Sequence, residues 1–216
     1  MTSEAREPSL GWKFVRTKKW SILAVSIAII VPCLWHRHIE AGDLASHVYN
    51  AWLAQLIEKG QAPGLYIVRQ WNNVLFDWTL LHAANLVSFA AAEKIVVSLC
   101  VLIFFWGVFA FVAAVSGRPP WFLTPCIAML AYGYAFNMGF LNYYFSLGLA
   151  SFSLALLWRG RGLERLFGLI LLPFVLLAHP VGFLWLTGTA LYLILWTKLP
   201  NWWKLAAPTA AVALLL

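Results

Sequence analysis

Residues 95–115 read IVVSLCVLIFFWGVFAFVAAV, a run without a single charged side chain. A helix of about 20 apolar residues covers the ~30 Å hydrocarbon core of a bilayer, so this stretch is long enough and apolar enough to cross one. Two comparable runs follow it, at 119–136 and 140–158. One precedes it at 20–35, slightly short, but Thr17, Lys18 and Lys19 can snorkel below it and Trp20 and Trp35 sit where interfacial tryptophans anchor a span. Polar residues precede that first run at length and no small-residue cleavage pattern follows it, so it reads as a retained span and not as a cleaved signal.

The composition agrees. The chain has 216 residues, 62% of them hydrophobic, 16% aromatic and 11% charged, against roughly 45–50% apolar and about 25% charged in soluble domains. Mean hydropathy is +0.80. A disordered protein, a disulfide scaffold and a nucleic-acid domain with a solvated basic face are all excluded. Cys33, Cys100 and Cys126 lie inside apolar runs without CxxC spacing, so neither a zinc site nor a disulfide framework is suggested. The net charge of +7 is a topology signal. Cytoplasmic loops carry the excess of Lys and Arg. A cytoplasmic N-terminus puts Arg6, Lys13, Arg16, Lys18, Lys19, Arg118, Arg159, Arg161, Arg165, Lys198 and Lys204 inside, leaving Arg37, Lys59, Arg69 and Lys94 outside.

The run 166–196 needs a decision of its own. As one straight helix it would be about 46 Å long at 1.5 Å per residue, more than the hydrocarbon thickness. Arginines precede it and lysines follow it, so the expected form is a hairpin of two short helices, 166–178 and 181–196, breaking at Ala178-His179-Pro180. A residue before proline is disfavoured in the helical region. The rival is one long tilted span kinked at the proline. The last run, 205–216, is too short to cross, and the chain is read as a single membrane domain truncated at its C-terminus. The expected fold class is all-α, a polytopic transmembrane helix bundle with a long outer loop, 36–93, containing interfacial amphipathic helices.

That loop carries the polar chemistry. Leu44, Val48, Trp52 and Leu56 recur at every fourth residue, predicting an amphipathic helix over 44–59 that Gly60 stops. A second helix is expected over 78–92. Asp43, His47 and Asn50 fall on one edge of the first helix. Asp43 fits an N-cap, since it follows Gly42 and opens an apolar-periodic run, and it fits a reactive carboxylate; a carboxylate fully committed to backbone N–H groups is a poor base. His179, between two apolar half-helices, is costly without a partner, and ionisable groups at such depth are functional candidates. Ser146, Gly148, Ala150, Ser151 and Ser153 form a face suited to close helix packing. Polar groups gather at the outer interface and not at mid-span, which favours chemistry or binding at the membrane surface over conduction.

The stretches HRHIEAGDLASHVYNAWLAQLIEKG (36–60) and LLAHPVGFLWL (176–186) give the chain its resemblance to the N-terminal part of an integral membrane glycosyltransferase of the GT-C fold, the superfamily that uses lipid-phosphate sugars. The shared features are a cytoplasmic N-terminus and first span, an acidic residue just after it, and paired short helices around a polar residue followed by proline. The resemblance implies that the first-loop carboxylate acts in catalysis, as acceptor base or as metal ligand depending on the branch, and this falls on Asp43 with Glu40 as second choice. It also implies cationic or hydrogen-bonding partners for the donor phosphate, for which His47, Arg69 and His179 are the candidates available outside. Gly42-Asp43-Leu44 stands where the protein-mannosylating branch has an Asp-Glu pair. The implied activity is transfer of a sugar from a polyprenyl-phosphate donor to an acceptor at the outer face. The alternatives are a transporter or flippase, or a non-catalytic membrane assembly protein. No cofactor is required by the sequence, and a divalent metal has no support in it. The expected partners are the lipid bilayer and the polyprenyl-phosphate sugar, with no nucleic acid. The expected location is a bacterial inner membrane.

Overall fold

A computed structural model of the chain describes residues 10–35, 37–68, 70–198 and 200. Arg69 and the run 205–216 lie outside the described residues, as do Arg6 and Lys204. The described chain is helical, with no strand: α1 (Leu10–Trp35), α2 (Leu44–Glu58), α3 (Leu75–Ala84), α4 (Phe89–Ser116), α5 (Thr124–Ala131), α6 (Tyr134–Asn137), α7 (Leu141–Arg159), α8 (Leu163–Ala178) and α9 (Pro180–Lys198). Among the described residues, three stretches are long and apolar enough to cross a membrane: Thr17–Trp35, Phe89–Ser116 and Leu141–Arg159.

The centre of the bundle is the α4–α7 pair. Gly107 of α4 and Gly148 of α7 bring the two backbones together. A Cβ on Gly107 would strike the Gly148 carbonyl oxygen, and one on Gly148 would lie 2.7 Å from the Phe104 amide nitrogen. Apolar helices in lipid gain little from hydrophobicity against one another, so close approach and the dispersion it permits hold them. Around this contact Phe104 stacks on Tyr144 at 4.6 Å, and Ser146, Ala150, Ser151 and Ser153 are buried. Polar contacts add the neighbours. Ser153 Oγ donates to the Gly168 carbonyl of α8 at 2.8 Å, and Trp106 Nε1 of α4 donates to Ser26 Oγ of α1 at 2.9 Å.

Several boundaries differ from the expectations, each for a local reason. The run 119–136, expected as one crossing helix, is divided into a 3₁₀ turn at Trp121–Leu123, α5 and α6. Tyr132 leaves helical geometry at φ −106, ψ 28, and Gly133 is extended at φ −80, ψ −163. The helix expected over 78–92 begins at Leu75 and stops at Ala84. Ser88 then opens α4 as its N-cap, accepting from the Ala91 amide at 3.3 Å. Gly60, at φ 68, follows the end of α2.

At residues 178–181 the chain breaks helix and turns back. His179 is extended, at φ −164 and ψ 131. Its Nδ1 accepts the Val181 amide at 3.2 Å. Gly182 abuts Ser146 on α7, and Trp185 reaches Phe111 of α4 at 6.5 Å, so α9 runs back beside the helices that α8 climbed. The Val181 amide is spent on His179, and the Leu177 carbonyl accepts instead from Val74 at 3.0 Å, in the segment leading into α3.

Gly148→Val should cost about 1–3 kcal/mol or more, because a side chain there must push two backbones apart. Gly188→Ala, with nothing within 4 Å of the new Cβ, should be neutral or gain up to about 1 kcal/mol of helix propensity. Paired thermal melts in detergent check the contrast; equal melting temperatures would mean the α4–α7 contact is not what holds the bundle.

Candidate functional site

The starts of α2, α3 and α7 and the α8–α9 turn converge at one end of the bundle. They enclose an open cleft of roughly 350 Å³ lined by Asp43, His47, Asn73, Phe140, Asn142, Tyr143 and His179, among others. The anchor is the backbone at residues 42–43. The Gly42 amide donates to the Asn137 carbonyl at 2.9 Å and the Asp43 amide to the Met138 carbonyl at 3.1 Å. Gly139 makes this approach feasible: it is left-handed at φ 75, and a Cβ on it would run into the Asp43 nitrogen.

This tether decides what Asp43 does. With φ −92 and ψ 0 its backbone is already helical, and its side chain makes no cap hydrogen bond to α2. A capping residue normally sits in the extended region so that its side chain can reach back. The cap is therefore not the role of this carboxylate. It is 54% exposed, and its Oδ2 lies 3.9 Å from His47 Nε2.

His47 is the hub. Its Nδ1 sits 2.6 Å from Asp77 Oδ1 on α3, a close hydrogen bond. Its ring packs edge-on against Phe76 at 5.2 Å, and only 13% of its side chain is exposed. Burial alone would lower its pKa, but the hydrogen bond and charge of Asp77, the charge of Asp43 and a hydrogen bond from the ring to the Gly139 backbone outweigh it, and the net direction is up from 6.5. Behind Asp77 stands Asn142, buried at the start of α7. Its Nδ2 donates to Asp77 Oδ2 at 2.6 Å and to the Asn73 carbonyl at 3.1 Å. Its Oδ1 accepts the Phe76 amide at 2.8 Å. Asn73, whose carbonyl joins this cluster, is the one described non-glycine residue at positive φ, 56°.

Across the cleft His179 lies edge-on to Tyr143 at 5.3 Å. Burial pushes its pKa down, which agrees with an unprotonated Nδ1 accepting from Val181. In the neutral ring the remaining nitrogen, Nε2, is then the donor.

Of the residues singled out from sequence, Asp43, His47 and His179 are brought together. Glu40 is not: it lines a separate depression of about 500 Å³ with His38 and Glu93, where Glu93 Oε1 accepts the Ile39 amide at 3.2 Å. Asn50, expected on the same helical edge, is exposed and absent from the cleft lining. Arg69 lies outside the described residues. Among the described residues no group of three or more His, Cys, Asp or Glu side chains is placed to hold a metal ion. Sequence reasoning missed Asp77, Asn142, Asn73 and Tyr143. The available signal was Asn142, an amide inside an otherwise apolar run, which must find partners or pay for burial.

No family model, curated protein or solved structure matches this chain.

The raised pKa of His47 has a consequence for stability. A histidine whose pKa is higher in the folded state stabilises it fully below the unfolded value, here 6.5, and loses that contribution as pH rises through the folded value. Hydrogen-exchange protection of α2, corrected for intrinsic rates, should therefore fall as pH rises above 6.5, and His47→Gln should flatten the dependence. A wild-type profile flat across this range would contradict the geometry.

Proposed function

We propose that the chain acts as a membrane glycosyltransferase of the GT-C type, transferring a sugar from a polyprenyl-phosphate donor to an acceptor hydroxyl at the membrane surface. On this reading Asp43 is the general base. As the acceptor oxygen bonds to the anomeric carbon, the bond from that carbon to the phosphate oxygen breaks. Its electron pair leaves with the phosphate, and the acceptor proton passes to the Asp43 carboxylate. The observation that carries the reading is Asp43 itself. Its backbone is bound at both amides of the Gly42–Asp43 pair, while its carboxylate faces the cleft without a cap bond, which is the geometry a general base needs.

Three further features support it. A phosphate-bearing donor brings negative charge next to a carboxylate, and His47 lies beside Asp43 as the cation that offsets the repulsion. His179 offers a neutral donor from the opposite wall, suited to a leaving oxyanion. The cleft's wall at Phe140, Leu141 and Val181 is apolar, and Tyr66 and Trp71, upstream of Asn73 in the chain, are 80% and 81% exposed. Aromatic rings of this kind favour the headgroup region of a bilayer, the level at which the phosphate of a polyprenyl donor lies while its tail enters the hydrocarbon. The finer placement belongs to the same proposal: a bacterial inner membrane, with the N-terminus in the cytoplasm and the cleft outside.

Asp43→Asn should lower sugar transfer from a polyprenyl-phosphate donor by about a hundredfold or more, the usual contribution of a general base. Asp43→Glu should keep part of the activity. The assay uses membranes containing the protein and follows radiolabelled sugar into product. Unchanged transfer by the Asn variant would remove Asp43 from the reaction.

A further inference from the structure

Asp77 is not part of the cleft lining, and Asn142 contributes to it beside Tyr143. Their arrangement is specific. Asn142 is 2% exposed, and all its amide atoms are committed: two donor bonds to Asp77 Oδ2 and the Asn73 carbonyl, one acceptor bond from the Phe76 amide. Asp77 is held by that amide on one oxygen and faces His47 Nδ1 with the other. The bonds from Asn142 fix the plane of the Asp77 carboxylate, and the carboxylate fixes the ring of His47. The remaining nitrogen, Nε2, faces the Asp43 carboxylate at 3.9 Å. The Asp77 contact is a hydrogen bond and the Asp43 contact is a longer charge–charge approach; a ring with a carboxylate beside each nitrogen is favoured in its doubly protonated form.

We propose that Asn142 and Asp77 are positioning residues that hold His47 as an imidazolium with Nε2–H presented to the cleft, supplying the fixed cation that lets a carboxylate base and an anionic donor occupy the same site. This rests on the reading of Asp43 as base to a phosphate-linked donor, but the state of His47 can be measured without any transfer assay. The groups facing it are Asp43 at the start of its own helix, Asp77 on α3 and the Gly139 backbone before α7. Asn142 on α7 touches it only through Asp77. Tyr143 and His179 share the cleft from the far wall.

The device is economical in what it requires of the chain. The Asp77 carboxylate cannot turn away from His47 without giving up its bond to Asn142, and the carboxylate offsets part of the desolvation cost of an imidazolium held against it. A lysine in its place would offer a mobile point charge on a flexible stem. The ring instead delivers one directed N–H bond.

The test is nitrogen-detected NMR of ¹⁵N-histidine-labelled full chain in detergent micelles, the His47 signals assigned by their loss in His47→Gln. In the wild type both nitrogens of His47 should be protonated at neutral pH, a measurement that needs no variant at the relay. Asp77→Asn should move the titration midpoint down by about one pH unit or more, the usual effect of removing an adjacent opposite charge. Asn142→Asp, which sets a second carboxylate against Asp77, should weaken the His47–Asp77 coupling seen as the low-field Nδ1 proton.

A neutral His47 at pH 7 in the wild type would overturn the proposal, as would a midpoint unmoved by Asp77→Asn. If Asp43→Asn abolishes transfer while His47 proves neutral, the relay falls and the base stands. If His47 is doubly protonated while Asp43→Asn leaves transfer intact, the relay stands and the assigned reaction falls.

Discussion

An amide buried at the end of an apolar helix is a debt that the surrounding chain must meet, since an unpaired polar group in such surroundings costs about 1–3 kcal/mol. Asn142 meets it with three bonds to a segment far upstream, Asn73 to Asp77. Those bonds fix where α3 starts, and α3 carries the carboxylate that orients His47. The loop end of the bundle is therefore organised from the helix side. The close α4–α7 contact at Gly107 and Gly148 sets the position of α7, α7 sets Asn142, and the polar residues of the loop settle around it.

The fold and the site were legible to different degrees. The apolar runs reveal α1, α4 and α7 because hydrocarbon length and helix rise leave few alternatives. The break at His179 was readable because proline restricts the residue before it. The run 119–136 was not readable as pieces, since its mean apolarity matches a span and the interruption at Tyr132 and Gly133 depends on backbone geometry rather than hydropathy. At the site, Asp43 and His47 share a helix edge, and that periodicity was visible. Asp77 and Asn142 are separated by 65 residues and meet only in three dimensions, so no local spacing could have paired them. The cap role of Asp43 was a reasonable inference from Gly-Asp-Leu. It was displaced because bonds to Asn137 and Met138 preset its backbone.

Charge placement in the cleft follows from the same packing. Two carboxylates, Asp43 and Asp77, lie on either side of one imidazole. Isolated, such a pair would repel; with the ring between them charged, each carboxylate has an opposite neighbour. His179 shows the contrary balance. It has no carboxylate partner among the causes acting on it, burial alone moves it, and its Nδ1 serves the backbone of α9. Two histidines in one cleft thus hold opposite electrostatic characters, one favouring the cation and one the neutral ring.

The exchange of backbone partners at the α8–α9 break bears on the order in which the protein is made. The Leu177 carbonyl becomes available to Val74 because the helix is interrupted after Ala178 and the Val181 amide turns to His179. The loop leaves the ribosome well before that carbonyl exists. Until α8 and α9 are synthesised, the lead into α3 lacks one of its fixings, and the acidic end of the cleft must wait in an unfinished state. A nascent chain halted between α7 and α8 would carry every residue of the Asp43–His47–Asp77–Asn142 set and still lack the wall that closes it.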